Sequence, residues 1–146
     1  MDQTITDFIN GKRIAVVGVS RRSQKFGTMI YKELKARGYQ VYPVHPEAKE
    51  IAGDACFPSL SALQDKVDGA VVCISPKDVV PVLKEAANIG LRNIWLQQGA
   101  QSPAAIQAGK ELGLNMVTGK CILMYAMPVR SFHSFHRFLA KLFGKL

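Results

Sequence analysis

Arg13-Ile14-Ala15-Val16-Val17-Gly18 carries, after its arginine, an unbroken apolar run closed by a glycine. A strand with one wet face alternates polar and apolar residues. An unbroken run instead marks a strand covered on both faces, as in a parallel sheet sandwiched between helices. The flanking sequence agrees. Asp7-Phe8-Ile9-Asn10-Gly11 ends a short amphipathic helix before the run. After it, a polar loop from Ser20 to Gly27 leads into Met29, Ile30 and Leu34 at helical spacing, stopped at Gly38. Tyr39 to Val44 reads as a second strand, with Pro43 and Pro46 demanding extended backbone and an early end.

The alternation continues along the chain. A short strand is expected near Cys56-Phe57-Pro58, with Ser59 or Ser61 opening a brief helix. Val67 to Ile74 reads as another buried strand, stopped at Ser75-Pro76, where serine can cap and proline can occupy a first helical turn. Helix then runs to Gly90, Asn93 to Gln97 is a strand, Ser102-Pro103 opens a helix ending at Gly113, and Leu114 to Val117 is the last strand. Strands alternating with helices predict an α/β, doubly wound, mainly parallel sheet of five to six strands with helices on both faces. No internal repeat or linker divides the chain.

The 146 residues, 48% hydrophobic and 21% charged, suit a single domain with a substantial core and are too few for a two-domain enzyme. Nineteen Lys and Arg against eleven Asp and Glu leave a net charge of +8, which points to an anionic partner: a phosphorylated metabolite, a nucleic acid or a membrane surface. Met1 to Asp7 shows no basic-then-apolar leader, and Cys56, Cys73 and Cys121 form no CxxC pair. The nine apolar residues from Cys121 to Val129 fall short of the roughly 20 a spanning helix needs. The expectation is a cytoplasmic protein with reduced thiols.

In an open α/β sheet the ligand lies beyond the carboxyl ends of the strands, where the strand order reverses. The first strand ends there in Gly18-Val19-Ser20-Arg21-Arg22-Ser23-Gln24-Lys25-Phe26-Gly27, a loop with a permissive glycine, hydroxyls and three cations ahead of a helix N-terminus. Backbone N–H groups, the helix dipole and these cations suit phosphate. The G-x-G-x-x-G spacing of nicotinamide dinucleotide sites is absent, because Ser20 stands at the second glycine and Gly27 comes late. The second strand ends in Pro43-Val44-His45-Pro46, with no acid for a ribose diol. NAD is disfavoured, and Arg21 and Arg22 leave NADP as an alternative.

Five segments in order resemble the small CoA-binding proteins, whose fold is that of the N-terminal CoA-binding domain of the succinyl-CoA synthetase alpha subunit. They are Ala15 to Ser20 with its basic loop, Gly38 to Pro46, Cys56 to Leu60, Val71 to Pro76 and Trp95 to Ala100, and the likeness spans about residues 10–128. The resemblance implies a Rossmann-like domain over residues 1–128 with coenzyme A or an acyl-CoA as ligand. Gly18, Val19, Ser20, Arg21 and Lys25 would hold its phosphates. Pro43, Val44 and His45 would lie against the adenosine, Ile74, Ser75 and Pro76 along the path of the nucleotide and pantetheine, and Gln97, Gln98 and Gly99 near the thiol-bearing arm. The synthetase also needs a domain carrying a phosphorylated histidine and a partner subunit, for which 146 residues leave no room. The resemblance therefore implies ligand binding, by a carrier or sensor, without catalysis of its own.

Other chemistry is thinly supported. No nucleophile–base or acid–base pair emerges, and Ser20 has a sufficient role as a hydrogen-bond donor in a phosphate loop. His133 and His136 lie three apart and could join Cys121 around a metal, but a fourth ligand is missing and no metal site is expected. Cys73 reads as a small core residue, and Asp78 as a complement to a helix dipole. Residues 129–146 form an amphipathic pattern, with Phe132, Phe135, Leu139, Leu142 and Leu146 on one face among Arg130, Arg137, Lys141 and Lys145. That helix would pack on its own domain, on a second subunit in a homodimer, or on an anionic membrane. Nucleic-acid binding is the rival outside the metabolite class, but the cations are not interleaved with aromatics on strands.

Overall fold

The computed structural model describes residues 3–19 and 26–126. Helix α1 (Gln3–Asn10) leads into strand β1 (Arg13–Val17), helix α2 (Phe26–Ala36) and strand β2 (Gln40–Val44). A small hairpin of β3 (Glu50–Ile51) and β4 (Asp54–Ala55) comes next. Then follow β5 (Gly69–Val72), α3 (Val79–Asn88), β6 (Asn93–Gln97), α4 (Pro103–Glu111) and β7 (Asn115–Lys120). The five main strands form one sheet in the order β2-β1-β5-β6-β7, each neighbouring pair parallel.

The period of two along each strand divides the core into two layers. Ile14, Val16, Val71 and Trp95 face α1, α2 and a 3-10 turn at Ile122–Met124, where Phe8 meets the Trp95 ring edge-on at 5.4 Å. Ala15, Val17, Ala70, Val72 and Leu96 face α3 and α4 through Val79, Leu83, Ala86 and Ala105. Both faces of the central strands are therefore dry, as their unbroken apolar runs require.

Several boundaries differ from the sequence reading. The strand expected near Cys56-Phe57-Pro58 is a single parallel bridge between Val44 and Phe57. Phe57 N–H donates to Pro43 O and its carbonyl accepts from His45 N, both at 2.9 Å, and Pro58 has no donor with which to extend the pairing. The hairpin before it was not anticipated; its two loop residues, Ala52 and Gly53, both take positive φ. The brief helix at Ser59 is a 3-10 turn, Leu60–Leu63. Strand β5 stops at Val72 rather than Ile74, because after the Cys73 N–H bonds Val17 O at 2.8 Å the chain turns away. Ser75 makes no side-chain cap. A 3-10 turn at Pro76–Asp78 intervenes and α3 starts only at Val79, again without a cap bond from Asp78. Ser102 does cap α4, its Oγ accepting from Ala105 N at 3.1 Å. The last strand runs three residues further than Val117. The helix expected over residues 129–146 lies outside the described residues.

Two glycines bring β1, β5 and α2 together. Gly18 has φ +108, and a Cβ there would stand 2.2 Å from Cys73 O; a Cβ on Gly27 would stand 2.3 Å from Gly18 O. Gly18→Ala should therefore destabilise the fold by about 3 kcal/mol through combined backbone strain and overpacking. Chemical denaturation measures this, and an unchanged midpoint would show that the junction can relax.

Two carboxylates tie outlying segments to the sheet. Arg13 Nη2 donates to Asp68 Oδ1 at 2.8 Å and its backbone N–H to Oδ2 at 3.1 Å, linking the start of β1 to the approach to β5. Asp54 accepts from Lys35 Nζ at 2.5 Å and from the Tyr31 hydroxyl, fastening the hairpin to α2. The Arg13 hydrogen bond holds the Asp68 carboxyl below its ordinary value near 3.8, and the Lys35 and Tyr31 bonds do the same for Asp54. In the window below that ordinary value the unfolded chain takes up protons that the folded chain still excludes. This part of the stability is complete at higher pH and is lost as the pH falls from about 4 toward the folded values. Thermal unfolding followed against pH should show this loss, reduced in Asp68→Asn.

Candidate functional site

The order of the sheet reverses between β1 and β5, so the chain leaves both strand ends in opposite directions and opens a crevice at their carboxyl ends. Gly18 and Cys73 stand on its floor in backbone contact. Among the described residues, two cavities lie along it. One, of about 400 Å³, lies over the ends of β1 and β2 and is walled by Val17, Gly18, Val44, His45, Pro46, Leu60 and Ile74, with Asp78, Val82 and Glu85 of the α3 side opposite. The other, of about 300 Å³, lies over the ends of β5 and β6, between Phe26, Cys73, Ile74, Ser75, Pro76, Gln97, Gln98, Gly99 and Ala100. Ile74 belongs to both, so they adjoin along the edge of the sheet. A third hollow, of about 270 Å³ around Asp65, Asp68 and Arg92, lies at the amino ends of the strands.

In the first cavity His45 has one ring nitrogen committed. Its Nδ1 accepts from Glu47 N and Ala48 N, each at 3.0 Å, which leaves Nε2 as the ring's donor. Most of the remaining wall is apolar, which suits a flat heterocycle. The Ser61 N–H donates to Glu85 Oε1 at 2.9 Å, fixing the turn at Leu60–Leu63 against α3.

Gln97, a wall residue of the second cavity, carries the one buried side-chain polar atom that lacks a partner among the described residues, Nε2. Gln97 is 1% exposed, the last residue of β6. Opposite it β7 carries an extra residue, since Trp95 pairs with Val117 but Gln97 with Lys120. The chain beyond that bulge presents the Ile122 N–H to Gln97 Oε1 at 3.1 Å. A backbone N–H accepts nothing, so the oxygen must be the end that faces it. The unpaired Nε2 costs the fold about 1–3 kcal/mol unless something supplies an acceptor. Beside it, burial in the first place, and Cys121 after that, push the Cys73 thiol up to about 12.

A family of CoA binding domains matches residues 12–127 of this sequence. The chain belongs to that family. It is 36% identical over 90 residues to acetate–CoA ligase [ADP-forming] II of Archaeoglobus fulgidus, a match covering 60% of this chain and only 13% of the ligase. It is 32% identical over 111 residues to the uncharacterized protein YneT of Bacillus subtilis, covering 76% of this chain and 82% of that one. Among solved structures it is similar to a conserved hypothetical protein from Pyrococcus furiosus, with 36% identity and a TM-score of 0.73 over 76% of this chain and 96% of the other. This family membership agrees with the resemblance that the five sequence segments carry.

The fold of this CoA-binding domain distributes the expected site residues unevenly. Gly18, Val44, His45 and Ile74 wall the first cavity, while Ile74, Ser75, Pro76, Gln97, Gln98 and Gly99 wall the second. Val19 is buried beneath the crevice, and Pro43 is buried within β2 without lining either cavity. Ser20, Arg21 and Lys25 lie outside the described residues, as do His133 and His136. Sequence reasoning missed Phe26, Val82, Glu85 and Ala100 as wall residues. Asp78, Val82 and Glu85 do carry a signal, because their i, i+4, i+7 spacing places them on one side of a helix.

The Cys73 thiol supplies a check on how closed this end is. At pH 8 its thiolate fraction should be smaller than that of a free peptide thiol by at least about a hundredfold, with maleimide labelling slowed accordingly. Peptide mass spectrometry after timed labelling reads the rate, and rapid modification would mean that the cavity opens to water.

Proposed function

We propose that this protein binds coenzyme A or an acyl-CoA along the crevice. The nucleotide lies in the cavity over Gly18 and His45, and the pantetheine arm passes Ile74, Ser75 and Pro76 to Gln97. The observation that carries this reading is the buried, unpartnered Nε2 of Gln97, a residue that walls the second of two adjoining cavities. A pantetheine arm carries amide carbonyls, which are the acceptors this donor lacks. The net charge of +8 suits a ligand rich in phosphate, and Arg21 and Lys25 are assigned to its phosphates on the strength of their place in the loop after β1. Family membership supports the ligand class.

The role we propose is carriage or sensing rather than chemistry. Within the crevice, burial keeps the Cys73 thiol protonated and His45 Nδ1 is occupied by backbone donors. Neither is a ready nucleophile or base. The ligase relative is far longer than this chain, which spans 13% of it.

Calorimetric titration with CoA, NADP and a short single-stranded oligonucleotide at physiological salt tests the assignment. Saturable heat with CoA alone is expected, and the Arg21→Ala, Lys25→Ala double variant should weaken it by about 10- to 100-fold through lost charge-assisted bonds. Heat with NADP instead, or an unaltered affinity in the double variant, would remove the ligand or the loop assignment respectively.

A further inference from the structure

Gln97 faces two ways. Its oxygen holds the Ile122 N–H, and its nitrogen is the unpaired donor of a residue that walls the second cavity. Ile122 opens the 3-10 turn through which the chain leaves β7. That stretch is strapped to the core by side chains. Trp95 Nε1 donates to Lys120 O at 2.9 Å, and Arg37 Nη1 donates to Leu123 O at 2.8 Å and to Ala126 O at 3.0 Å. The Tyr125 ring lies 5.7 Å from that of Trp95. Of these fastenings, Gln97 alone also lines the cavity.

We infer that Gln97 couples occupancy of the cavity to the strap over residues 120–126, so that the bound ligand is reported to the chain beyond Ala126. The inference rests on the CoA reading of the second cavity. With the cavity empty, the amide gains by swinging to find an acceptor for Nε2, and each swing releases Ile122. A ligand carbonyl on Nε2 removes that incentive, pins the rotamer and polarises the amide so that its oxygen becomes a stronger acceptor. Coupling of this kind is reciprocal: what fastens the strap also raises affinity for the ligand.

Amide hydrogen exchange followed by NMR on the full chain tests this. CoA should slow exchange at Ile122 by about fivefold or more beyond any slowing in α4 on the opposite face of the sheet. Adenosine 3′,5′-bisphosphate, which has the nucleotide and no arm, should leave Ile122 no slower than α4. Gln97→Glu, compared at a pH high enough to ionise its buried carboxyl, keeps an oxygen for Ile122 and removes the donor, so the CoA-dependent slowing should vanish. Gln97→Leu removes both and should speed exchange at Ile122 even without ligand. CoA that shifts the Ser75 and Gly99 amides while leaving Ile122 unchanged, or slowing that survives in Gln97→Glu, would overturn the coupling and spare the CoA reading. If CoA shifts no resonance at all, the CoA reading falls and the coupling with it.

Discussion

A Cβ on Gly18 would lie 2.2 Å from the carbonyl of Cys73, and one on Gly27 would lie 2.3 Å from the carbonyl of Gly18, so β5, β1 and α2 meet there as bare backbone. The meeting point is also where the strand order reverses. Strands β1 and β5 must pair in register up to their ends, and α2 must begin immediately above them, before a crevice can exist on one side only. The walls that matter to a ligand are then set by where the chain goes next: from β2 to His45, and from β5 to Ile74 and Ser75.

The same junction explains which parts of the molecule were legible in the sequence. Val16 and Val17, Val71 and Val72, and Trp95 and Leu96 are apolar in succession because helices cover both faces, and succession is a property that can be read without a structure. Strand ends were harder. Cys73 and Ile74 are as apolar as the residues before them, but after one last bond to Val17 O the ladder stops, and nothing in their composition announces it. The hairpin at Glu50 to Ala55 was illegible for another reason. Ala52 takes positive φ beside Gly53, a conformation that alanine does not advertise, and strands of two residues have no period to detect.

The candidate site divides along a similar line. His45, Ser75 and Gln97 stand at strand ends, where topology places ligands, and the resemblance picked them out. Phe26, Val82 and Glu85 come to the crevice from helices whose rotation about their own axes is decided by packing. Their spacing indicates a shared side without saying what that side meets. His45 shows a finer limit: its place at the end of β2 was readable, but the two backbone donors on Nδ1 that determine which ring nitrogen is left to donate depend on the turn through Glu47 and Ala48.

Gln97 is where fold and site bear on each other most directly. Leucine would fill nearly the same volume and remove the unpaired Nε2, but it would leave the buried Ile122 N–H without its acceptor, even though Trp95, Arg37 and the packing of Tyr125 still fasten the strap. An amide is warranted at this position if both of its ends have partners. The described residues supply one, the Ile122 N–H. On the proposed reading the other comes from the cavity, which lies at the carboxyl ends of β5 and β6, one strand removed from the reversal point. If so, the physical account of why this residue is polar is the same as the proposed account of what the crevice binds.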